Sequence, residues 1–228
     1  MNTATTKVSA LHTEPHTGLL FRLVQPAPSQ PKRLVILLHG LGTQETDMAD
    51  LATGMAPDTL VILVRGPVTL GPGQYAWFRL TFTGSGPVIN AEEAEHSRLA
   101  LIDFVQQAQH QYAITATNTV IAGFSQGGIL SASVALSAPT WVAGFGLLSG
   151  RILPELEPHL ASPDQLTHLQ AFISHGEQDA TLPVAWAQRS DQLLSTLGVK
   201  HALHLYPIGH GISPAVHADF LGWLASLA

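Results

Sequence analysis

Gly123-Phe124-Ser125-Gln126-Gly127 is the stretch that decides the fold, because it joins a β-rich run, Asn118 to Ala122, to a small-residue helix predicted over Gly128 to Ala138. A serine at the tip of so sharp a strand-to-helix turn takes a strained backbone conformation. Flanking glycines let neighbouring chains come close enough to hold it there, and Gly127 with Gly128 doubles that room. The five-residue pattern alone also arises as a chance Gly/Ser turn. The buried strand leading into it is what makes Ser125 a candidate nucleophile.

Working outward, strand-like and helix-like segments alternate from Leu19 almost to the end. Arg33 to Leu38, Thr59 to Val64 and Asn118 to Ala122 are nearly continuous apolar runs, as central parallel strands buried on both faces require. Leu19 to Val24 reads as an earlier strand, closed by the Pro-rich turn Pro26 to Pro31. Further strands are expected near Val142 to Leu148, Ala171 to Ser174 and Ala202 to Tyr206. Ala91 to Tyr112 reads as a crossover helix capped by Asn90, with Leu101, Phe104, Val105, Ala108 and Tyr112 at helical spacing. A last helix begins at Ser213-Pro214 and turns Val216, Phe220, Trp223, Leu224 and Leu227 inward. The pattern predicts an α/β fold: a mostly parallel central sheet with helices on both faces. The Gly/Pro-rich stretch Gly66 to Pro87 is expected to be an irregular insertion and a candidate wall of a substrate pocket.

Three more elements fall at the ends of predicted strands. His39-Gly40-Leu41-Gly42 follows Leu34 to Leu38, where such folds place an oxyanion-donating loop; the N–H groups of Leu41 and Gln126 are the expected donors. His39 itself is expected to brace that loop rather than transfer protons. His175-Gly176-Glu177-Gln178-Asp179 follows the strand ending at Ser174 and offers Asp179 as the acid that orients a histidine, with Glu177 as the rival in the same loop. Gly209-His210-Gly211 precedes the final helix and offers His210 as general base on a backbone freed by two glycines. The order Ser125, Asp179, His210 is that of the α/β-hydrolase fold, and differs from the chymotrypsin and subtilisin orders. Little or no cap domain is expected. Tyr75, Trp77 and Phe78 either line an acyl pocket or pack the loop onto the domain.

Composition bounds the rest. The chain has 228 residues, is 46% hydrophobic and only 11% charged, which fits a single domain over 1–228, with residues 1–17 as a flexible or peripheral segment. A net charge of -6 without a basic cluster excludes nucleic acid as an expected partner, and suits a small-molecule ester that is uncharged or modestly apolar. The absence of cysteine removes thiolate nucleophiles and Cys-based metal sites. His201 and His204, three apart on a strand, point to opposite faces and cannot readily share an ion, so neither metal nor cofactor is expected. No signal peptide and no membrane-spanning run is legible, which places the protein in the cytoplasm by expectation; oligomeric state is left open.

With these motifs in place the chain resembles the phospholipase/carboxylesterase family from about Arg33 onward. The resemblance is carried by His39-Gly40-Leu41-Gly42, Gly123 to Gly128, His175-Gly176 with Asp179, and Gly209-His210-Gly211, supported by Gly66-Pro67-Val68-Thr69 and Ala76-Trp77-Phe78. It implies a Ser125, His210 and Asp179 triad, an oxyanion hole of Leu41 and Gln126, and Trp77 and Phe78 near the substrate. Arg79 stands where thioesterase relatives tend to carry Asp, and Thr43 to Asp47 is closer to the bacterial carboxylesterase branch. The resemblance therefore implies a carboxylesterase first and an acyl-protein thioesterase or lysophospholipase second. A non-catalytic ligand-binding module of the same fold is the third possibility and would typically lack a triad member.

Overall fold

The structure, a computed structural model, describes residues 6–83 and 86–227; the expectations for residues 1–5, 84–85 and 228 lie outside these. Strands β1 (His12–Thr13), β2 (Leu20–Leu23), β3 (Arg33–Leu38) and β4 (Thr59–Val64) are followed by two hairpins, β5 (Val68–Gly71) with β6 (Gln74–Ala76) and β7 (Leu80–Thr83) with β8 (Gly86–Ile89). Then come α1 (Ala91–Tyr112), β9 (Thr119–Phe124), α2 (Gln126–Ser137), β10 (Gly144–Leu148), the short α3 (Pro163–Leu166), β11 (Gln170–Gly176), α4 (Ala185–Thr196), β12 (Lys200–Tyr206) and α5 (Pro214–Ser226).

Eight strands form one sheet in the order β1-β2-β4-β3-β9-β10-β11-β12. Only β1 and β2 run antiparallel to their neighbours; from β4 to β12 every pairing is parallel. Both faces of the central strands are covered, and alternate side chains divide between them. Leu34, Ile36 and Leu38 of β3 join Leu101, Phe104 and Leu130 on the face of α1 and α2, whereas Val35 and Leu37 join Phe220 and Leu224 of α5 on the other. These residues are wholly or almost wholly enclosed, and burying each such side chain contributes about 1.5–3 kcal/mol.

The predicted crossover helix starts where its cap lies, with the Asn90 side chain accepting from the Glu93 N–H at 3.1 Å. It stops at Ala113, which turns the chain at φ 53°. Ser213 caps α5 in the same way, accepting from Val216 N at 3.3 Å. Residues 6–17 lie along the sheet edge, where β1 pairs with β2 and the buried Glu14 carboxylate accepts from the N–H groups of His16 and Thr17.

The irregular insertion expected over Gly66 to Pro87 is instead two antiparallel hairpins. The first turns at Pro72-Gly73, where Gly73 sits at φ +68°, a conformation open to glycine without steric cost. His201 and His204 fall on opposite faces as expected: the first meets Asp191 of α4 and the second stacks on Phe172. Among the described residues no helix is long and apolar enough to cross a membrane, and no cluster of potential ligands is suited to a metal ion.

Candidate active site

The turn between β9 and α2 holds Ser125 at φ 54° and ψ -115°, a strained conformation for any residue but glycine that costs on the order of 1–3 kcal/mol. Its surroundings over-determine it. Ser125 N–H donates to Leu148 O at 2.8 Å, and Ser125 O accepts from Ile129 N at 3.0 Å. A Cβ on Gly123 would sit 2.4 Å from the Gly127 carbonyl carbon, and one on Gly127 would sit 2.2 Å from Leu38 O. No side chain fits at either position, which is the physical content of the Gly-x-Ser-x-Gly spacing.

Three loops at the carboxyl ends of β9, β11 and β12 bring Ser125, Asp179 and His210 together. His210 Nε2 lies 3.0 Å from Ser125 Oγ, and His210 Nδ1 lies 2.7 Å from Asp179 Oδ2. An ionised carboxylate only accepts, so Nδ1 carries the hydrogen and Nε2 offers its lone pair to the serine hydroxyl. Burial raises the Asp179 carboxyl, but the Leu182 N–H, the His210 ring and the Thr181 N–H outweigh it and hold the group below the usual carboxylate range. Glu177, the rival acid, is exposed and meets no histidine; its backbone N–H donates to Tyr206 O at 2.8 Å.

Glycine explains how the Asp179 and His210 loops meet, though at a different position from the one expected. A Cβ on Gly176 would lie 2.3 Å from both Ile208 O and Gly209 O, so this residue allows the two loops to touch. A Cβ on Gly209 would meet only Gln178 O, at an ordinary 3.8 Å, and one on Gly211 nothing, so neither position requires glycine.

His39 braces its loop, as expected. Its Nε2 accepts from Gly66 N–H at 2.9 Å, which leaves Nδ1–H to donate to Gly40 O at 2.7 Å. Burial pushes this imidazole below its ordinary value, in keeping with the neutral tautomer. A Cβ on Gly40 would lie 3.5 Å from Ser125 Cβ, so the loop sits directly against the serine turn. Gly42 N–H donates to Tyr75 O at 2.8 Å and Tyr75 N–H to Thr43 O at 2.9 Å, so the first hairpin pins the loop. Among the described residues the N–H groups of Leu41 and Gln126 have no backbone acceptor.

Trp77 and Phe78 do not border open space; both are enclosed, with exposures of 0% and 1%. The Trp77 indole N–H donates to His39 O at 2.9 Å. Their association with the site passes through the buried Gln126 side chain, whose Oε1 accepts from Trp77 N at 2.8 Å and whose Nε2 donates to Phe78 O at 2.7 Å. This amide clamp carries no sequence signal, since only its backbone position was marked.

Two further polar groups support the constellation. His175 Nε2 lies 2.7 Å from Leu182 O and 3.3 Å from Asp179 Oδ2. A carbonyl cannot donate, so Nε2 carries the hydrogen and leans on the carboxylate. Behind the His39–Gly42 loop, the enclosed Glu45 accepts from Arg22 Nε at 2.8 Å and from Arg65 Nε and Nη2 at 2.6 and 2.8 Å. Arg65 in turn donates to the Tyr75 hydroxyl at 3.1 Å.

A strained serine at the carboxyl end of a parallel sheet, facing a histidine that a buried aspartate orients, is the arrangement of an α/β-hydrolase, and that is the fold of this chain. The sequence model described as Phospholipase/Carboxylesterase matches residues 21–226, and the chain belongs to this family of hydrolases. It is similar to acyl-protein thioesterase 1 of Gibberella zeae, 28% identical over 215 residues that span 87% of this chain and 92% of the relative. It is also similar to the esterase YpfH of Escherichia coli, 27% identical over 83% of this chain and 81% of that protein. Among solved structures, a carboxylesterase from Mesorhizobium loti superposes with a TM-score of 0.80 at 23% identity, covering 96% of this chain and all 100% of the other, which bears on the fold alone.

Proposed function

We propose that this protein is a serine carboxylesterase acting on small to medium acyl esters, folded as one α/β-hydrolase domain, with Ser125, His210 and Asp179 as its triad. His210 Nε2 takes the Ser125 proton as Oγ attacks the ester carbonyl carbon, and the carbonyl π electrons move onto oxygen. The N–H groups of Leu41 and Gln126 receive that oxyanion; losing one such donor typically costs about 10²–10³ in turnover. Collapse expels the alcohol, which takes the proton from His210 and leaves an acyl-serine. Water then attacks the acyl carbon as it gives a proton to His210, and collapse breaks the bond to Ser125 Oγ, which takes that proton back as the acid leaves. Asp179 holds the imidazole in the required tautomer and stabilises its cation.

The observation that carries the proposal is the unbroken relay of 2.7 and 3.0 Å from Asp179 through His210 to Ser125. The test is hydrolysis of p-nitrophenyl esters of increasing chain length by wild type and by Ser125→Ala. The expected result is a loss of at least about 10⁴ in kcat/KM for the variant; equal rates for the two proteins refute the nucleophile assignment. The names of several relatives favour a second reading, an acyl-protein thioesterase. Turnover confined to long acyl thioesters would select it.

A further inference from the structure

Beside the serine turn, the chain leaving β10 runs through Ser149 and Gly150 into Arg151. Gly150 is packed against the nucleophile turn, since a Cβ there would lie 3.0 Å from Ser125 O. The next residues, Ile152 to Leu160, face the first turns of α4 across a groove of about 400 Å³ lined by Ile152, Leu153, Leu156, Leu160, Trp186 and Leu193. One wall is thus anchored to Ser125. The other is anchored to the acid loop, where Leu182 N–H donates to Asp179 Oδ1 at 2.8 Å and Trp186 N–H to Pro183 O at 2.9 Å.

At this groove two cations meet on one indole. Arg151 Cζ lies 4.4 Å and Arg189 Cζ 4.7 Å from the centre of the Trp186 ring. Among the described residues neither guanidinium has a carboxylate within 4.0 Å or a hydrogen-bond acceptor, although Glu155 and Glu157 lie on the same wall. By contrast Arg22, Arg65, Arg79 and Arg98 all pair with glutamates. Two guanidiniums that stack on one indole without a carboxylate partner keep their N–H forks available to an anionic group such as a carboxylate. The sequence conceals this pair, because Arg151 and Arg189 stand 38 positions apart with no basic cluster around either.

We propose that the Arg151–Trp186–Arg189 stack is an anion subsite of the same active site, which selects esters whose apolar arm ends in a carboxylate. It rests on Ser125 being the nucleophile, and it replaces the expected uncharged substrate with a monoester of a dicarboxylic acid or of an ω-hydroxy acid. The arm lies along the leucine-lined groove while the distal carboxylate accepts from the guanidiniums of the stack.

The test compares kcat/KM for monomethyl and dimethyl esters of the glutarate-to-sebacate series, with ω-acetoxy acids and their methyl esters placing the charge on the alcohol side. Wild type is expected to favour the charged member at some chain length, and Arg151→Gln with Arg189→Gln to lower that charged-to-neutral ratio about 10- to 100-fold. An unchanged ratio in the double variant, or no preference in either series, overturns the proposal. Calorimetric titration of Ser125→Ala with monomethyl and dimethyl suberate gives a readout independent of turnover. Tighter binding of the monoanion that the two Arg→Gln changes abolish supports the subsite even if wild type hydrolyses no ester, an outcome that sinks only the nucleophile assignment. Equal binding of both suberates sinks the subsite.

Discussion

Asp179 and Glu45 are both enclosed carboxylates supplied with several donors, and both sit below the usual carboxylate range although burial pushes each upward. Their partners differ in kind. Glu45 is met by two guanidiniums that never lose their charge, and it locks Arg22 of β2 and Arg65 after β4 to the 3-10 helix Glu45–Ala52 behind the His39–Gly42 loop. Asp179 is met by two backbone N–H groups, by the His175 ring, and by the His210 imidazole whose far nitrogen faces a hydroxyl. A carboxylate among permanent cations has nothing to transfer and serves the scaffold. One coupled to an imidazole fixes which ring nitrogen carries the hydrogen, as the proposed relay requires. Under the proposed mechanism, similar burial serves stability in one place and chemistry in the other, and the kind of partner decides which.

The largest expected effect breaks the Asp179 side. Asp179→Asn permits the wrong His210 tautomer and is predicted to lower kcat/KM by about 10³–10⁴ while the fold persists. A loss smaller than tenfold would remove Asp179 from the relay. Glu45→Gln should show the opposite profile: it leaves two partly buried guanidiniums short of charge, costs on the order of 3 kcal/mol and lowers Tm by roughly 6–12 °C. At 25 °C its kcat should stay within about tenfold of wild type. A variant with unchanged Tm would show that the ion cluster is not structural.

Next in size is His175, which touches the carboxylate without facing Ser125. His175→Gln keeps a donor of altered reach and is predicted to lower kcat about tenfold with KM unchanged. A fall in Tm without that kcat change would make His175 a packing residue only.

The smallest effects are read from pH. Asp179 and Glu45 are depressed in the fold, so their contribution is complete above the ordinary carboxyl values of 3.8 and 4.5 and is lost as pH falls through the lower folded values. The Tm difference between wild type and Glu45→Gln should therefore narrow on acidification below about pH 4. His39 is also depressed, from an ordinary 6.5, and its neutral form is the one the fold accepts. Its contribution is full above that value and declines below it, by at most about 1.4 kcal/mol per pH unit. Its removal in His39→Asn should flatten the fall in Tm between pH 7 and pH 5; an identical slope would place that proton uptake elsewhere.

The comparison also marks what the sequence could and could not reveal. Ser125, Asp179 and His210 could be grouped from the sequence because each follows a predicted strand and their chain order is characteristic, and the structure brings the three within hydrogen-bond distance. Glu45 was not, since its two arginines, one in β2 and one just after β4, stand 23 and 20 positions away and nothing local marks a buried glutamate. For Trp77 and Phe78 the sequence left pocket wall and loop packing both open, because aromatic character does not distinguish the two; the structure encloses both side chains. The hairpins within Gly66 to Pro87 were hidden by strands of only 3 or 4 residues among glycines and prolines. Helix α4, which the sequence pattern did not mark, buries only Ala187, Ser190 and Leu194, too sparse a stripe for helical periodicity to register.

The most direct measurement is covalent capture of the proposed nucleophile: incubation with a fluorophosphonate, proteolysis, and mass spectrometric location of the adduct in wild type and Asp179→Asn. A single phosphonylated residue, Ser125, formed far more slowly in the variant, is the predicted result. Label on another side chain, or none on an enzyme that still hydrolyses esters, contradicts the account.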